Sequence, residues 1–332
     1  VWRPLVLGAV VFVAAIVATA WWGIRPVASP SRPPSRITVI VPPGESAAGI
    51  ARRLAEAGLV RHPWIVVAVA RCLGVAGRLR HGEYAIDPSQ SAVEIVRMLA
   101  RGEVVQHRVT VPEGYTVVQI ADALAAAGLV DRERFLDLAL RGGRRFERPT
   151  LAGLSVDSLE GYLFPDTYYF TRGMDEVEVV ERFLDRFDAR VDAQLREAIR
   201  ARGLTLHEAL TVASMVEREA RVPEDRPLIA GVIYNRLARG MRLEIDATVL
   251  YALGTHRPVV TYKDLGVPSP YNTYRHAGLP PGPIANPGLE AIRAAAAPAS
   301  VPYLYYVLRP DGRHHFSRTL REHLDAVRRY RR

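Results

Sequence analysis

The longest unbroken apolar run comes first: the twenty residues from Leu5 to Ile24 carry no charge. As a helix rising about 1.5 Å per residue, the run spans roughly 30 Å, the hydrocarbon thickness of a bilayer. Trp21 and Trp22 close it where an interfacial aromatic belt lies. Ala18-Thr19-Ala20 offers a small-x-small cleavage pattern, but the run exceeds the roughly 7–15 apolar residues of a signal peptide. A retained single-pass anchor over 1–24 is therefore expected. Residues 25–36 follow, and Pro26, Pro30, Pro33 and Pro34 predict an extended linker there.

The pattern then repeats. Val41–Val60 reads VPPGESAAGIARRLAEAGLV and, seventy residues later, Val111–Val130 reads VPEGYTVVQIADALAAAGLV, with eleven of twenty positions identical. Each copy predicts a β-branched strand (37–41, 109–111), a Pro-x-Gly turn, and an amphipathic helix. Ile50 and Leu54, or Ile120 and Leu124, share one helix face, and Gly58 or Gly128 ends the helix. Between the copies, 81–86 reads as a strand and 92–100 as a helix closed by Gly102. Residues 37–107 thus form one region, and 108–332 a second that begins with the repeat at 108–145. The repeat fits a module that grips an extended polymer and equally a duplicated packing unit.

A further helix is predicted over 205–222. Thr205 and Glu208 match a capping box, and Pro223 stops the segment. At about 100° per residue, Leu206, Ala209, Leu210, Ala213 and Val216 make an apolar stripe with Glu217 on it, while Glu219 falls about 200° away, toward solvent. A carboxylate on an apolar face is either paired with an arginine or held protonated by desolvation. The second state is what a general acid for glycosidic cleavage needs.

Composition narrows the chemistry. Net charge is +9, but Arg3, Arg25, Arg32 and Arg36 supply +4 and Arg328, Arg329, Arg331 and Arg332 another +4, so the body between is near neutral. That distribution argues against nucleic acid as partner and suits an anionic membrane or wall surface. One cysteine, Cys72, excludes an internal disulfide or a multi-thiolate metal site. Thr211 stands where HExxH requires histidine, Glu217 stands where Ser-x-x-Lys requires lysine, and His314-His315 lacks a third ligand, reading as a solvated turn. No metal and no cofactor are implied.

Five motifs in order carry a resemblance. Glu160–Tyr168 (EGYLFPDTY) is followed by Ala213–Glu219 (ASMVERE). Next comes the group Val232–Leu237 (VIYNRL), Gly240–Leu243 (GMRL) and Asp246–Val249 (DATV), and then Tyr271–Tyr274 (YNTY) and Gly278–Gly288 (GLPPGPIANPG). Together they resemble the YceG-like family of MltG-type endolytic murein transglycosylases. The resemblance implies an α+β protein: one N-terminal transmembrane helix, a LysM-like strand-helix region, then a mainly helical YceG-like catalytic domain with a small sheet. It implies a lyase outside the cytoplasm, held in the bacterial cytoplasmic (inner) membrane on its periplasmic side. Such enzymes cut the MurNAc-GlcNAc β-1,4 bond within nascent peptidoglycan strands, leave 1,6-anhydroMurNAc ends and terminate elongation, with peptidoglycan synthases (penicillin-binding proteins) as partners. It places the catalytic glutamate at Glu217. Ala247 departs from the family, where a proline is expected.

The reaction needs no second catalytic carboxylate, unlike retaining hydrolysis with its partner roughly 5–5.5 Å away. The sugar's own C6 hydroxyl attacks C1, and one glutamate serves as acid and then base. Asp246 reads as a helix N-cap or as a second carboxylate. Asn235, Tyr271 and Asn272 suit sugar hydroxyls and acetamido groups, or turns and packing. Glu160 faces the groove or closes a salt bridge. The Gly-Pro segment 278–288 is expected to be a rigid loop framing the cleft. A catalytically silent wall-binding scaffold is the alternative.

Overall fold

The computed structural model describes residues 14, 18–19, 21–27, 36–151, 157–255, 257 and 259–330. Most of the expected anchor over 1–24 and most of the linker over 25–36 lie outside those residues. Among the described residues no helix is long and apolar enough to cross a membrane. The chain is α+β and helix-rich, with three two-stranded sheets. It divides into two compact units: Val1–Arg108 with Ala127–Val130 and Tyr169–Asp175, and Val109–Ala126 with Asp131–Tyr168 and Glu176–Arg332.

In the first unit, β1 (Ile37–Val41) pairs antiparallel with β2 (Gly82–Ile86), Ile37 opposite Ile86 and Val41 opposite Gly82. Between them run α1 (Ala47–Glu56), capped by Ser46 on Gly49 N–H, and α2 (Pro63–Cys72), begun by its proline. After β2 comes α3 (Ala92–Arg101), with a Ser91/Glu94 capping box and Gly102 at φ 69°. Val39, Val41, Ile50, Leu54, Ile65, Val66, Tyr84, Ile86, Ile95 and Leu99 form one buried core. The predicted strand-turn-helix grammar appears with Ile50 and Leu54 inward. Tyr84, fully buried, donates its hydroxyl to the Arg80 carbonyl at 2.8 Å, so its polar end is satisfied within the core.

Strands β3 (His107–Thr110) and β4 (Thr167–Phe170) form the second sheet. In the second unit the later repeat copy supplies α4 (Val117–Ala126), followed by α5 (Arg132–Arg141), α6 (Glu176–Arg190) and α7 (Ala193–Ala201). The predicted capping box opens α8 (Leu206–Glu219), which packs against α7, α9 (Arg226–Ala238), α10 (Asp246–Ala252) and α11 (Leu289–Ala296). The hairpin of β5 (Tyr305–Leu308) and β6 (His314–Ser317) is covered by α12 (Leu320–Tyr330). His314, read from sequence as part of a solvated turn, lies buried in β6. Its Nδ1 and its backbone N–H both meet Asp225 Oδ2, at 2.8 and 2.7 Å.

Candidate active site

The central helix α8 is buried almost all round: Thr211 to Val216 are each at most 1% exposed. A helix packed on several sides has no single core face, so the angular argument that sends Glu219 to solvent does not hold here. Glu219, in the last turn, is partly buried instead. It lines a pocket of about 230 Å³ with Arg236, Leu243, Glu244, Asp246, Tyr274, Tyr306, His323 and Val327.

Each wall of that pocket has a local cause. Arg236 on α9 donates Nε to the Leu304 carbonyl at 2.7 Å and Nη1 to the Arg242 and Leu243 carbonyls at 3.0 and 2.9 Å. It thereby ties the hairpin strand to the chain before α10 and meets Glu244 Oε2 at 3.2 Å. Glu244 has φ 53°, the only positive φ outside glycine among the described residues. That conformation costs roughly 1–2 kcal/mol in an L-residue and is held by Glu244 N–H to the Thr273 carbonyl at 3.2 Å. The turn aims α10 so that its first residue, Asp246, enters the pocket, where Tyr274 donates to Oδ1 at 2.6 Å. Tyr306 donates its hydroxyl to Glu219.

Burial, reinforced by the Asp246 carboxylate, pushes the Glu219 pKa up to about 7, against the Tyr306 hydroxyl and the charges of Arg221 and Arg218. A carboxyl poised there is half protonated near neutrality and can both donate and accept a proton. Glu244 and Asp246 are two further carboxyl groups lining the same pocket.

Glu217 occupies different surroundings. Its side chain is 9% exposed. Oε2 accepts the Gly288 N–H at 3.0 Å, and Oε1 lies 3.7 Å from Arg226 Nη2, which is 3.8 Å from Glu113 Oε2. Burial raises its pKa, the Gly288 N–H opposes that rise, the Glu113 carboxylate adds to it and Arg226 lowers it. The guanidinium and the backbone donor both favour the charged form. Glycines make the packing possible: a Cβ on Gly288 would meet Glu113 Oε1 at 1.9 Å, and one on Gly114 would lie 3.6 Å from Glu217 Cγ.

Of the other sequence candidates, only Asp246 lines the pocket with Glu219. Asn235 gives its amide to the Val301 and Tyr303 carbonyls at 2.7 and 2.9 Å. Asn272, fully buried, gives its amide to the Leu265 and Val267 carbonyls, both at 2.9 Å. Glu160 is 2% exposed and accepts from Val117 N–H at 3.0 Å, Asn286 Nδ2 at 3.0 Å and Tyr251 OH at 3.3 Å. Its pKa is pushed to about 8 by burial against those donors. Tyr271 packs its ring 4.9 Å from that of Tyr251.

The Gly-Pro segment is held as a loop by two side chains. Asn286 Oδ1 accepts from Gly161 and Leu163 N–H, both at 2.9 Å, while its amide reaches the Tyr115 carbonyl and Glu160. Ser214 Oγ accepts from Ile284 N–H at 3.0 Å. The sequence pattern alone does not bring Glu219, Tyr274 and Tyr306 into one pocket. The available signal was the Glu-x-Glu ending of the helix, which puts a second carboxylate on its other side.

Comparison with known proteins agrees with this architecture. The model of the YceG-like family matches residues 39–329. The chain is 32% identical to the endolytic murein transglycosylase of Bacillus subtilis (strain 168), over 92% of this chain and 88% of that protein. It is 33% identical to the endolytic murein transglycosylase of Streptococcus pneumoniae serotype 2, over 92% of this chain and 61% of that protein. The crystal structure of a yceG-like protein of Listeria monocytogenes superposes with a TM-score of 0.60 at 34% identity, covering 89% of this chain and all of that one. With a matched span that takes in both units and the whole pocket around Glu219, this chain belongs to the YceG-like family.

Proposed function

We propose that this protein is an endolytic peptidoglycan lytic transglycosylase in which Glu219 is the general acid and base. The observation that carries the assignment is the Glu219 carboxyl lining a polar pocket beside Asp246 and Tyr306, in a chain related over most of its length to murein transglycosylases. Protonated Glu219 gives its proton to the oxygen bridging C1 of MurNAc and C4 of GlcNAc, and that C1–O bond breaks. The C6 hydroxyl of the same MurNAc closes on C1, and its proton returns to the Glu219 carboxylate. No water is consumed, and the new end is 1,6-anhydroMurNAc. The tethered hydroxyl has an effective concentration that bulk water cannot match. Asp246, Glu244 and Tyr274 face the sugar; Asn235, Asn272, Tyr271 and Glu160 hold the walls.

A second reading puts the acid at Glu217, favoured by its 9% exposure and raised pKa. Incubating uncrosslinked glycan with the parent, Glu219→Gln and Glu217→Gln and identifying new ends by mass spectrometry separates the two. Loss of anhydro ends in the folded Glu219 variant alone supports the first reading; loss in the Glu217 variant alone supports the second. Glycan binding by the parent with no new ends supports a silent scaffold.

The uncharged run Leu5–Ile24 supports a single-pass anchor in the bacterial cytoplasmic membrane. A murein substrate supports a catalytic body on the periplasmic side, with peptidoglycan synthases as partners and cleavage ending strand elongation.

A further inference from the structure

All three described tryptophans lie in the first unit and all are more than half exposed: Trp21 60%, Trp22 51% and Trp64 53%. Exposed indoles are uncommon on a water-facing surface and enriched where protein meets lipid headgroups. They belong to one structural neighbourhood. Residues 21–24 are helical, and Gly23 lies so close to α2 that a Cβ on it would meet Ile65 Cδ1 at 2.6 Å. Ile24 packs against the first unit's core. Arg61 stacks over the Trp22 ring with its guanidinium 4.3 Å from the centroid, and its Nη2 donates to the Pro26 carbonyl at 3.2 Å. Arg25 covers Trp21 at 3.6 Å. The end of the apolar run is thus seated on the start of α2.

The face of α2 that stays uncovered has a matching composition. Trp64, Ala68 and Arg71 are exposed and recur at helical spacing. Leu73 is exposed just beyond. Between Glu56 and Glu83 the chain has no acidic residue but carries Arg61, Arg71, Arg78 and Arg80. Indoles together with arginines and no carboxylates suit an anionic headgroup layer, which attracts basic side chains within a Debye length. A water-facing helix gains nothing from that combination.

We infer that α2, through Trp64, Ala68 and Arg71, lies on the anionic lipid surface from which the anchor emerges, so that the first unit is docked on the bilayer rather than held off it. This rests on the anchor reading above.

The test uses the full chain in vesicles of mixed phosphatidylglycerol and phosphatidylcholine. The chain has four tryptophans, so Trp2→Phe, Trp21→Phe and Trp22→Phe together leave Trp64 as the only one. With brominated acyl chains its emission falls relative to ordinary lipid, as for a ring seated at the membrane interface, and falls less in vesicles lacking phosphatidylglycerol. A second variant retains every tryptophan: a nitroxide on Ala68→Cys, in a Cys72→Ala background, is relaxed more by lipid-dissolved oxygen than by a water-soluble nickel chelate. A chain that floats with the vesicles but shows unquenched Trp64 and a nitroxide relaxed by nickel overturns the docked face and leaves the anchor standing. A nitroxide shielded from both relaxants indicates a protein occupant and also overturns it. A chain that does not float with vesicles overturns anchor and docking together.

Discussion

Replacing Glu219 by glutamine removes a titrating group whose folded pKa is about 7 against an ordinary 4.5. Between those values the folded state binds more protons than the unfolded chain, so the parent loses stability as pH rises through that window and no more above it. At about 1.36 kcal/mol per pKa unit, the loss amounts to up to roughly 3 kcal/mol. Glutamine keeps the shape and can still accept from Tyr306 but has no proton to lose. Urea denaturation of parent and variant near pH 4 and near pH 8 should therefore show the variant gaining up to roughly 3 kcal/mol relative to the parent across the interval. Activity at the parent's pH optimum should fall about 10²–10⁴-fold, the range for a lost general acid, and the alkaline limb should disappear. A stability difference that is flat with pH would mean that Glu219 titrates like an exposed carboxylate, and the assignment of the acid to this pocket would be refuted.

The neighbours should tune that pKa in opposite directions. Asp246→Asn removes the like charge that raises it, so the alkaline limb of the pH–rate profile moves to lower pH; Tyr306→Phe removes a donor that stabilises the carboxylate, so the limb moves higher. Asn286→Ala cuts four side-chain hydrogen bonds inside the fold and should cost roughly 3–5 kcal/mol by urea denaturation. Gly231 on α9 faces the Ala299 carbonyl, 2.7 Å from where a Cβ would stand, so Gly231→Ala should lower stability by about 1–3 kcal/mol in the same assay.

Local signals in the sequence were legible where short-range chemistry decides. The capping box Thr205/Glu208 marks the start of α8, and Gly58, Gly102 and Gly128 sit after their helices with φ near 70°. The angular position of Glu219 was not legible, because periodicity assumes one buried face and α8 is enclosed by four other helices. Partners far apart in sequence were equally hidden. An asparagine amide that clamps carbonyls, as Asn235 does across 66 residues, has the same signature in sequence as one that binds a sugar. In the sequence, Asp246 fits either a helix cap or a second carboxylate. It is the first residue of α10, turned inward by the strained backbone of Glu244 and engaged by Tyr274, 28 residues on.

The central claim is that the substrate's own hydroxyl, not water, displaces the bridging oxygen. Digesting uncrosslinked glycan in heavy-oxygen water and weighing the new ends tests it most directly. The account predicts muramyl ends lighter by one water than reducing ends and free of heavy oxygen; one heavy oxygen per new muramyl end would contradict it.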